Sequence, residues 1–315
     1  MKHLIALALL TLTLGTSAFA GQTVTGEQRN AAGSRSYKLF LPSKLSGGLV
    51  VMLHGCFLTG DQMATGTDIN TYAEAKGFAV LYPEQGYGDN SWKCWNWFKK
   101  ENQARGTGEA SIIVDMVKAV SQKYKLKSGN AYVAGLSAGS AMAANLLGCY
   151  SDIFAGAALG SGLEFAAAES ESEAHQVTRS GPSKDLDKSA EQALACSPKR
   201  TKPMRVIVVH GDKDAYVNIV NGQRTAELFA RINTAIWTRN GGSDSEVTQA
   251  NSRIEQGGYN YSAAVSTLSY GGEPMVTKII VEGMAHGWSG GKPTAPYMEP
   301  RGVNATEIAV KAFFP

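Results

Sequence analysis

The feature that most constrains the fold of this chain is the stretch AYVAGLSAGSAMAANLL at residues 131–147. A β-prone run leads into Gly135-Leu136-Ser137-Ala138-Gly139, and an alanine-rich helical segment follows at once. G-x-S-x-G between a strand and a helix is typical of a sharp, strained turn, in which the glycines let strand and helix approach and the serine is exposed. We therefore interpret Ser137 as a nucleophile rather than as part of an ordinary glycine-rich turn.

Short apolar runs alternate with helical patterns along the chain. A helix is predicted over residues 111–123, where apolar side chains recur at helical spacing. This alternation favours an α/β architecture around a mostly parallel sheet. The predicted strands are residues 37–41, 49–53, 78–82, 131–134, 155–159, 206–209 and 278–281.

Two further regions have a distinct pattern. Residues 259–281 predict two strands joined at Gly271-Gly272, a hairpin at or near the edge of the sheet. A polar excursion near residues 163–200 contains a stretch rich in Ala, Glu, Ser and Lys at 166–195. We expect a solvated surface segment there, with a cap over a functional site as the alternative.

A serine hydroxyl is a weak nucleophile until an adjacent base takes its proton, so a histidine and an acid should follow Ser137. The chain order in such hydrolases is serine, then aspartate or glutamate, then histidine. Of the histidines after residue 20, His286 in the glycine-flanked loop EGMAHGWSGG has the right position. The acid should follow the strand at 206–209, where the spacing suits both Asp212 and Asp214.

Acyl transfer also needs donors directed at the oxyanion that develops on the substrate. One predicted donor is the backbone N–H of Ala138, directly after the serine. The other is predicted in the loop after an early strand, where LVVMLHGCFLTG turns at His54. Cys56 N–H is the first candidate and Phe57 N–H the next, while His54 is expected to order this loop by hydrogen bonds.

The stretch SWKCWNWFKK at residues 91–100, called the aromatic segment below, holds three of the chain's five tryptophans. Aromatics interleaved with lysines are typical of a single-strand nucleic-acid groove, whereas ordinary cores also use such rings. If the segment is extended, Trp95 and Trp97 share one face. We predict that they line a substrate crevice with Phe57, and that Trp288, close to His286, forms the opposite wall.

The chain's ends and charge exclude several function classes. Lys2, the apolar run 4–14 and the small residues at 17–20 predict a secretory signal peptide cleaved after Ala20. Removing residues 1–20 lowers the formal charge from +3 to +2, which does not suit a polyanion-binding protein. We expect a secreted or periplasmic protein with no nucleic-acid partner and no membrane association after signal removal, and the sequence names no protein partner.

Six motifs occur in the order LHGC, YPEQ, CWNWF, GLSAGSAMA, HGDKDAYV and GMAHGWSGG. From about residue 37 to 291 the chain thereby resembles the polyhydroxybutyrate depolymerase family of α/β-hydrolase esterases, which includes feruloyl and acetylxylan esterases. The resemblance implies an α/β-hydrolase fold, with a mostly parallel central sheet, helices on both faces and a nucleophile elbow. It places the triad on Ser137, Asp214 and His286, because the family's acid is the aspartate of H-G-x-x-D-x-x-V.

The resemblance also implies a disulfide pairing, since four cysteines alone allow three. Cys56 would pair with Cys94, which leaves Cys149 with Cys196. The implied substrates are poly(3-hydroxybutyrate), its oligomers or another small ester, with a feruloyl or acetylxylan-type ester as the alternative and a peptide less favoured. A non-catalytic binding module is disfavoured, because it has no need of serine, aspartate and histidine in hydrolase order.

The same sequence leads to expectations about organisation. We expect residues 21–315 to form a single catalytic domain, because no threonine-rich linker or polymer-binding module is recognisable after it. We expect no metal and no organic cofactor, because the remaining histidines, cysteines and carboxylates lack ligand spacing.

Overall fold

The computed structural model describes residues 21–127, 131–255 and 261–315. The predicted signal peptide at residues 1–20 lies outside these described residues. The strands are β1 (Gln22–Asn30), β2 (Gly33–Leu41), β3 (Gly48–Leu53), β4 (Phe78–Pro83), β5 (Ala131–Leu136), β6 (Phe154–Gly160), β7 (Arg205–Gly211), β8 (Val247–Ile254), β9 (Ala263–Tyr270), β10 (Glu273–Val281), β11 (Trp288–Ser289) and β12 (Met298–Glu299). The helices are α1 (Gly60–Thr67), α2 (Ile69–Lys76), α3 (Gly108–Tyr124), α4 (Ala138–Cys149), α5 (Glu171–Ser180), α6 (Leu186–Cys196), α7 (Ile219–Arg239) and α8 (Ala305–Phe313), with short 3₁₀ turns at Lys100–Gln103 and Asp244–Glu246.

One large sheet has the strand order β1-β2-β4-β3-β5-β6-β7-β10-β9-β8. The central strands from β4 to β10 in this order are parallel to their neighbours. Antiparallel strands extend the sheet on both sides. Each predicted strand lies inside an observed one, so the prediction of a mostly parallel α/β sheet is confirmed.

The two faces of the sheet carry separate apolar layers, because side chains alternate along each strand. In β3, Leu49, Val51 and Leu53 pack into the layer formed with α3, α4, α6 and α7. Val50 and Met52 of the same strand point into the opposite layer, with α1, α2 and α8. The predicted helices on both faces are therefore present.

The predicted hairpin is formed by β9 and β10, which pair antiparallel. Gly271 and Gly272 connect them with φ of 58° and 82°, the left-handed backbone that a two-residue hairpin turn requires. Residues 259 and 260 of the predicted span lie outside the described part of the chain. β8 lies beyond β9 at the edge, and both β8 and the other edge strand, β1, were missed because their sequences are largely polar and exposed.

The polar excursion folds into α5 and α6, each with a side-chain cap at its start. Ser170 accepts a hydrogen bond from Glu173 N–H at the N-terminus of α5, and Asp185 caps α6 in the same way. These caps satisfy backbone donors that a helix start leaves free. Across the described ranges, none of the helices is both long and apolar enough to cross a membrane.

Candidate active site

Ser137 occupies the sharp turn between β5 and α4. Its φ of 58° and ψ of −122° are unusual for a residue other than glycine, and such strain is often retained at functional sites. A Cβ on Gly135 would lie 2.4 Å from Gly139 C, and one on Gly139 would lie 2.4 Å from Leu53 O. Both glycines of the motif are therefore required by close backbone contact, which is the steric reason the sequence suggested.

His286 and Asp214 meet through a hydrogen bond of 2.7 Å between Nδ1 and Oδ2. Asp214 lies in the loop after β7, and its Oδ1 accepts the backbone N–H groups of Tyr216 and Val217 at 2.9 and 2.8 Å. Asp212 instead accepts the N–H of Gly283 at 2.7 Å. Of the two aspartates that the spacing allowed, Asp214 is the one bonded to the histidine.

A second histidine contacts the same carboxylate. His210 is fully buried, and its Nε2 lies 2.8 Å from Val217 O and 3.3 Å from Asp214 Oδ2. Burial raises the pKa of Asp214, but the hydrogen bonds from His210 and His286 outweigh it and hold this pKa well below its usual range. Asp214 is therefore ionised near neutral pH, and the role of His210 in holding it was not anticipated.

The loop after β3 runs directly beside the serine. A Cβ on Gly55 would lie 3.5 Å from Ser137 Cβ, so glycine permits this close approach. Phe57 N–H donates to Trp92 O at 2.9 Å, which engages that donor and leaves Cys56 N–H as the better oxyanion candidate. Cys56 and Ala138 both line the same cavity as Ser137.

His54 orders this loop from the interior. Its Nδ1–H donates to Gly55 O at 2.8 Å, and its Nε2 accepts Gln85 N–H at 3.0 Å. Burial lowers the pKa of His54 to about 4, more than the hydrogen bond to Gly55 raises it. The imidazole is therefore neutral, and its bond to the Gly55 carbonyl fixes the peptide plane that carries Cys56 N–H.

Two disulfides are present, Cys56–Cys94 and Cys149–Cys196. They are the pairs that the family resemblance implied. The first joins the oxyanion loop to the aromatic segment, and both of its cysteines line the cavity. The second joins the end of α4 to the end of α6.

The aromatic segment contains no β-strand, so the condition under which Trp95 and Trp97 would share one face is not met. Trp95 is fully buried with its ring 5.5 Å from the His54 ring, so the prediction that it lines the crevice is wrong. Trp97 does line the cavity, with 5% of its surface exposed. Trp92, which was not predicted as a site residue, lines the cavity and is 54% exposed.

The prediction for Trp288 is also wrong. The residue begins β11, is 2% exposed and donates its indole N–H to Thr306 Oγ1 at 2.9 Å. Its ring packs in the apolar layer with α8 and is absent from the cavity lining. Proximity to His286 in sequence did not reveal that the backbone turns this side chain inward.

A buried carboxylate organises the aromatic segment. Glu109, in the first turn of α3, accepts hydrogen bonds from Arg35 Nη2 at 2.9 Å, Gln85 Nε2 at 2.7 Å and both nitrogens of Asn96 at 2.6 and 2.8 Å. These partners lie far apart in sequence, so no local pattern pointed to Glu109. The segment's position beside the serine depends on this tertiary network.

Ser137 and His286 line one cavity of about 280 Å³. Four of its lining side chains are large, apolar and exposed: Phe57, Trp92, Tyr216 and Tyr297. The polar excursion contributes Leu163 and, from α5, His175 among others. Most of α5 is exposed, as expected for a solvated segment, and one side of it also forms part of the cavity wall, as the alternative of a cap over the site predicted.

The arrangement has the parts that acyl transfer requires: a half-buried serine that lines the cavity, a histidine held by a buried aspartate, and backbone N–H groups beside them. The roles of Ser137, Asp214, His286, Cys56 and Ala138 remain predictions. No group of three or more His, Cys, Asp or Glu side chains suited to a metal ion occurs within residues 21–127, 131–255 and 261–315.

Comparison with known proteins identifies the family. The family model for esterase PHB depolymerase matches residues 35–252. A poly(3-hydroxyalkanoate) depolymerase C from Paucimonas lemoignei is 30% identical over 91% of this chain, and the match covers 66% of that relative, just under two thirds of its length. A probable acetylxylan esterase A from Aspergillus clavatus is 27% identical over 73% of this chain and 80% of its own.

A solved structure shows the same fold. The acetyl xylan esterase from Aspergillus awamori superposes with a TM-score of 0.70 at 21% identity, over 93% of this chain and 98% of its own. The α/β-hydrolase fold that the resemblance implied is confirmed. The chain thus belongs to the esterase PHB depolymerase family.

Proposed function

We propose that this esterase hydrolyses poly(3-hydroxybutyrate) or its soluble oligomers through an acyl-enzyme on Ser137. The observation that carries the proposal is the position of Ser137 and His286 in one cavity, with Asp214 hydrogen-bonded to the histidine. The depolymerase from Paucimonas lemoignei, matched over 91% of this chain, supports the substrate class.

The mechanism uses only these side chains and two backbone donors. His286, held by Asp214, takes the proton from Ser137 Oγ as this oxygen bonds to the ester carbonyl carbon. The oxyanion accepts hydrogen bonds from Ala138 N–H and Cys56 N–H. The bond to the alcohol oxygen then breaks, and the alcohol leaves with the proton from His286. Water attacks the acyl-enzyme with His286 again as base, which releases the acid and restores the serine.

The charges around the cavity favour an uncharged ester. Among the described residues that line it there is no lysine or arginine, and the one carboxylate is Glu171. A free carboxylate near the scissile bond would find no cation there. We therefore expect ester bonds inside a polyester chain, or in end-capped oligomers, to react better than those next to a free acid end.

The alternative substrates are acetylxylan or feruloyl-type esters. The acetylxylan esterase from Aspergillus clavatus, matched over 80% of its own length, favours a carbohydrate ester. A peptide is a weaker alternative, since the triad alone does not separate amides from esters.

We also propose export and a single catalytic domain at residues 21–315. Two disulfides support an oxidising compartment, either the periplasm or the medium, because such bonds are rare in the cytosol. One continuous sheet with an apolar layer on each face supports a single unit.

A substrate panel with the purified enzyme tests the proposed specificity. The panel contains amorphous poly(3-hydroxybutyrate), hydroxybutyrate oligomers with free and methyl-capped acid ends, methyl ferulate, acetylated xylan and short p-nitrophenyl esters. We expect polymer clearing, and faster cleavage of capped than of free oligomers. Cleavage of xylan acetate or ferulate without polymer clearing would establish the alternative instead.

The nucleophile is tested by Ser137→Ala, with Ser140→Ala in the first turn of the following helix, α4, as a matched control. Ser140 Oγ is buried without a hydrogen-bond partner in the described structure, so its loss should leave hydrolysis near the wild-type rate. Ser137→Ala should abolish hydrolysis and labelling by an active-serine phosphonate, while circular dichroism shows an unchanged fold. Turnover by Ser137→Ala at the wild-type rate contradicts the assignment.

A further inference from the structure

Two exposed tyrosines lie beside the ring of His286. The centroid of Tyr216 lies 5.4 Å and that of Tyr297 5.7 Å from the imidazole centroid. The two phenol rings are 6.2 Å apart and nearly perpendicular, at 86°. Tyr216 is 66% and Tyr297 38% exposed, and both line the cavity. Their surfaces are therefore open to a bound molecule beside His286.

The fold places Tyr297 there at a cost. Its φ of 59° lies in the left-handed region, which is strained for a residue with a side chain. Pairing of β11 with β12 holds the backbone, since Trp288 N–H donates to Tyr297 O at 2.8 Å. A Cβ on Gly287 would lie 2.7 Å from the same oxygen. The chain after His286 is thus built to hold Tyr297 close to the histidine.

Tyr216 is held by the acid of the same site. Its backbone N–H donates to Asp214 Oδ1 at 2.9 Å, so its position follows from the loop that carries the aspartate. Both tyrosines are therefore attached, through their backbones, to the segments that carry His286 and Asp214.

The chemistry of the proposed reaction decides which half of the ester meets these rings. During acylation His286 gives its proton to the departing alcohol oxygen, so the alcohol portion must lie beside the imidazole. The acyl portion stays on Ser137. Resting on the proposed function, we propose that Tyr216 and Tyr297 form the binding site for the alcohol portion of the ester.

The geometry also indicates the class of alcohol. A methyl group beside His286 is too small to cover rings whose centroids lie 5.4 and 5.7 Å away from the imidazole centroid. An uncharged alcohol portion several carbon atoms long reaches both tyrosine rings and shields them from water. The site therefore takes an extended neutral alcohol, as in the next repeat of a polyester chain, in preference to methanol or ethanol.

The test varies the two halves of the substrate separately. Tyr216→Ala and Tyr297→Asn are compared with wild type on butyrate esters of methanol, butanol and hexanol, and on methyl esters with different acyl groups. Asparagine is chosen because it tolerates the left-handed backbone at residue 297. Tyr87→Ala is the control, since Tyr87 is an exposed tyrosine outside the cavity lining.

We expect the ratio of kcat/KM for the hexyl ester to that for the methyl ester to fall about tenfold in each variant, the size of a lost aromatic contact. The change should lie in KM, and the preference among acyl groups should stay as in wild type. Tyr87→Ala should keep the wild-type ratio. Equal losses for methyl and hexyl esters would overturn the proposal.

A second readout separates binding from a merely structural role. Deacylation involves water, Ser137 and His286 but no alcohol, so its rate after the burst with p-nitrophenyl butyrate should match wild type in both variants. If the tyrosines only packed against His286, deacylation would slow together with acylation, and the proposal would fail. Failure of the proposed function would give a different result, because an active-serine phosphonate would then not label Ser137 of the wild-type enzyme.

Discussion

At the residue scale, two aspartates separated by a single position have different surroundings. Asp214 has a fully buried side chain and accepts hydrogen bonds from His286 and from two backbone amides. Asp212 receives Gly283 N–H and so ties the loop after β7 to the turn after β10. Spacing along the chain does not separate these roles, whereas their hydrogen-bond partners do.

Replacing Asp214 by asparagine is expected to lower kcat by about 10⁴-fold, the loss typical of this change in a triad. An amide keeps the shape but can no longer stabilise the imidazolium that forms on His286. Asp212→Asn is the matched control and should remain within about threefold of wild type, since only one loop contact weakens. Steady-state kinetics on a p-nitrophenyl ester measures kcat for both variants. A larger loss of kcat in Asp212→Asn than in Asp214→Asn would show that Asp212 is the acid that supports His286.

At the element scale, the aromatic segment acts as a support for the oxyanion loop. Its Cys94 forms a disulfide with Cys56, and its Trp92 carbonyl accepts a hydrogen bond from Phe57 N–H. Asn96 of the segment donates two hydrogen bonds to the buried Glu109. The segment thus contributes Trp92 and Trp97 to the cavity and Trp95 to the core. One short stretch therefore supplies both packing and a wall of the site.

The two disulfides allow a matched comparison, because they close loops of similar length, 38 and 47 residues apart in sequence. Loop-closure entropy predicts a loss of about 4 kcal/mol in unfolding free energy for either pair replaced by serines. Only the double variant Cys56→Ser, Cys94→Ser should also lower kcat, because only the Cys56–Cys94 disulfide holds the loop of the predicted oxyanion donor. Cys149→Ser with Cys196→Ser should keep the wild-type kcat below its melting temperature.

Urea unfolding and initial rates on a p-nitrophenyl ester measure the two effects separately. An unchanged kcat in the folded Cys56→Ser, Cys94→Ser variant would show that this disulfide does not support the oxyanion loop.

At the scale of the whole molecule, the site sits where the central strands end. β3, β5 and β7 lie in one parallel sheet, and their following loops carry the oxyanion residues, Ser137 and Asp214. The carboxyl ends of parallel strands share one edge, which brings residues distant in sequence together. The buried His54 beneath this edge links the stability of the fold to pH.

The free energy of unfolding should fall by about 2 kcal/mol as the pH drops from about 7 to about 5. The pKa of His54 is about 4 in the fold against an ordinary 6.5, so in this window the unfolded chain binds a proton that the folded chain does not. The stability is thus present above about pH 6.5 and is lost as the pH falls towards about 4.

Urea unfolding at the two pH values measures this loss, and His54→Gln should show a smaller difference between them. The titration of His54 by NMR in the folded protein gives an independent check. A midpoint near the ordinary histidine value would contradict the expected window.

The sequence by itself determined the parallel sheet and the candidate triad, because periodic apolar runs and short motifs such as G-x-S-x-G depend on neighbours along the chain. It did not determine which ring faces the substrate: Trp95 and Trp288 are core residues, while Trp92, Tyr216 and Tyr297 line the cavity. Tertiary contacts, such as the Glu109 network and the pairing of β11 with β12, determine which of these rings line the cavity. A side chain in an irregular loop has no periodicity, so only its packing partners decide where it points.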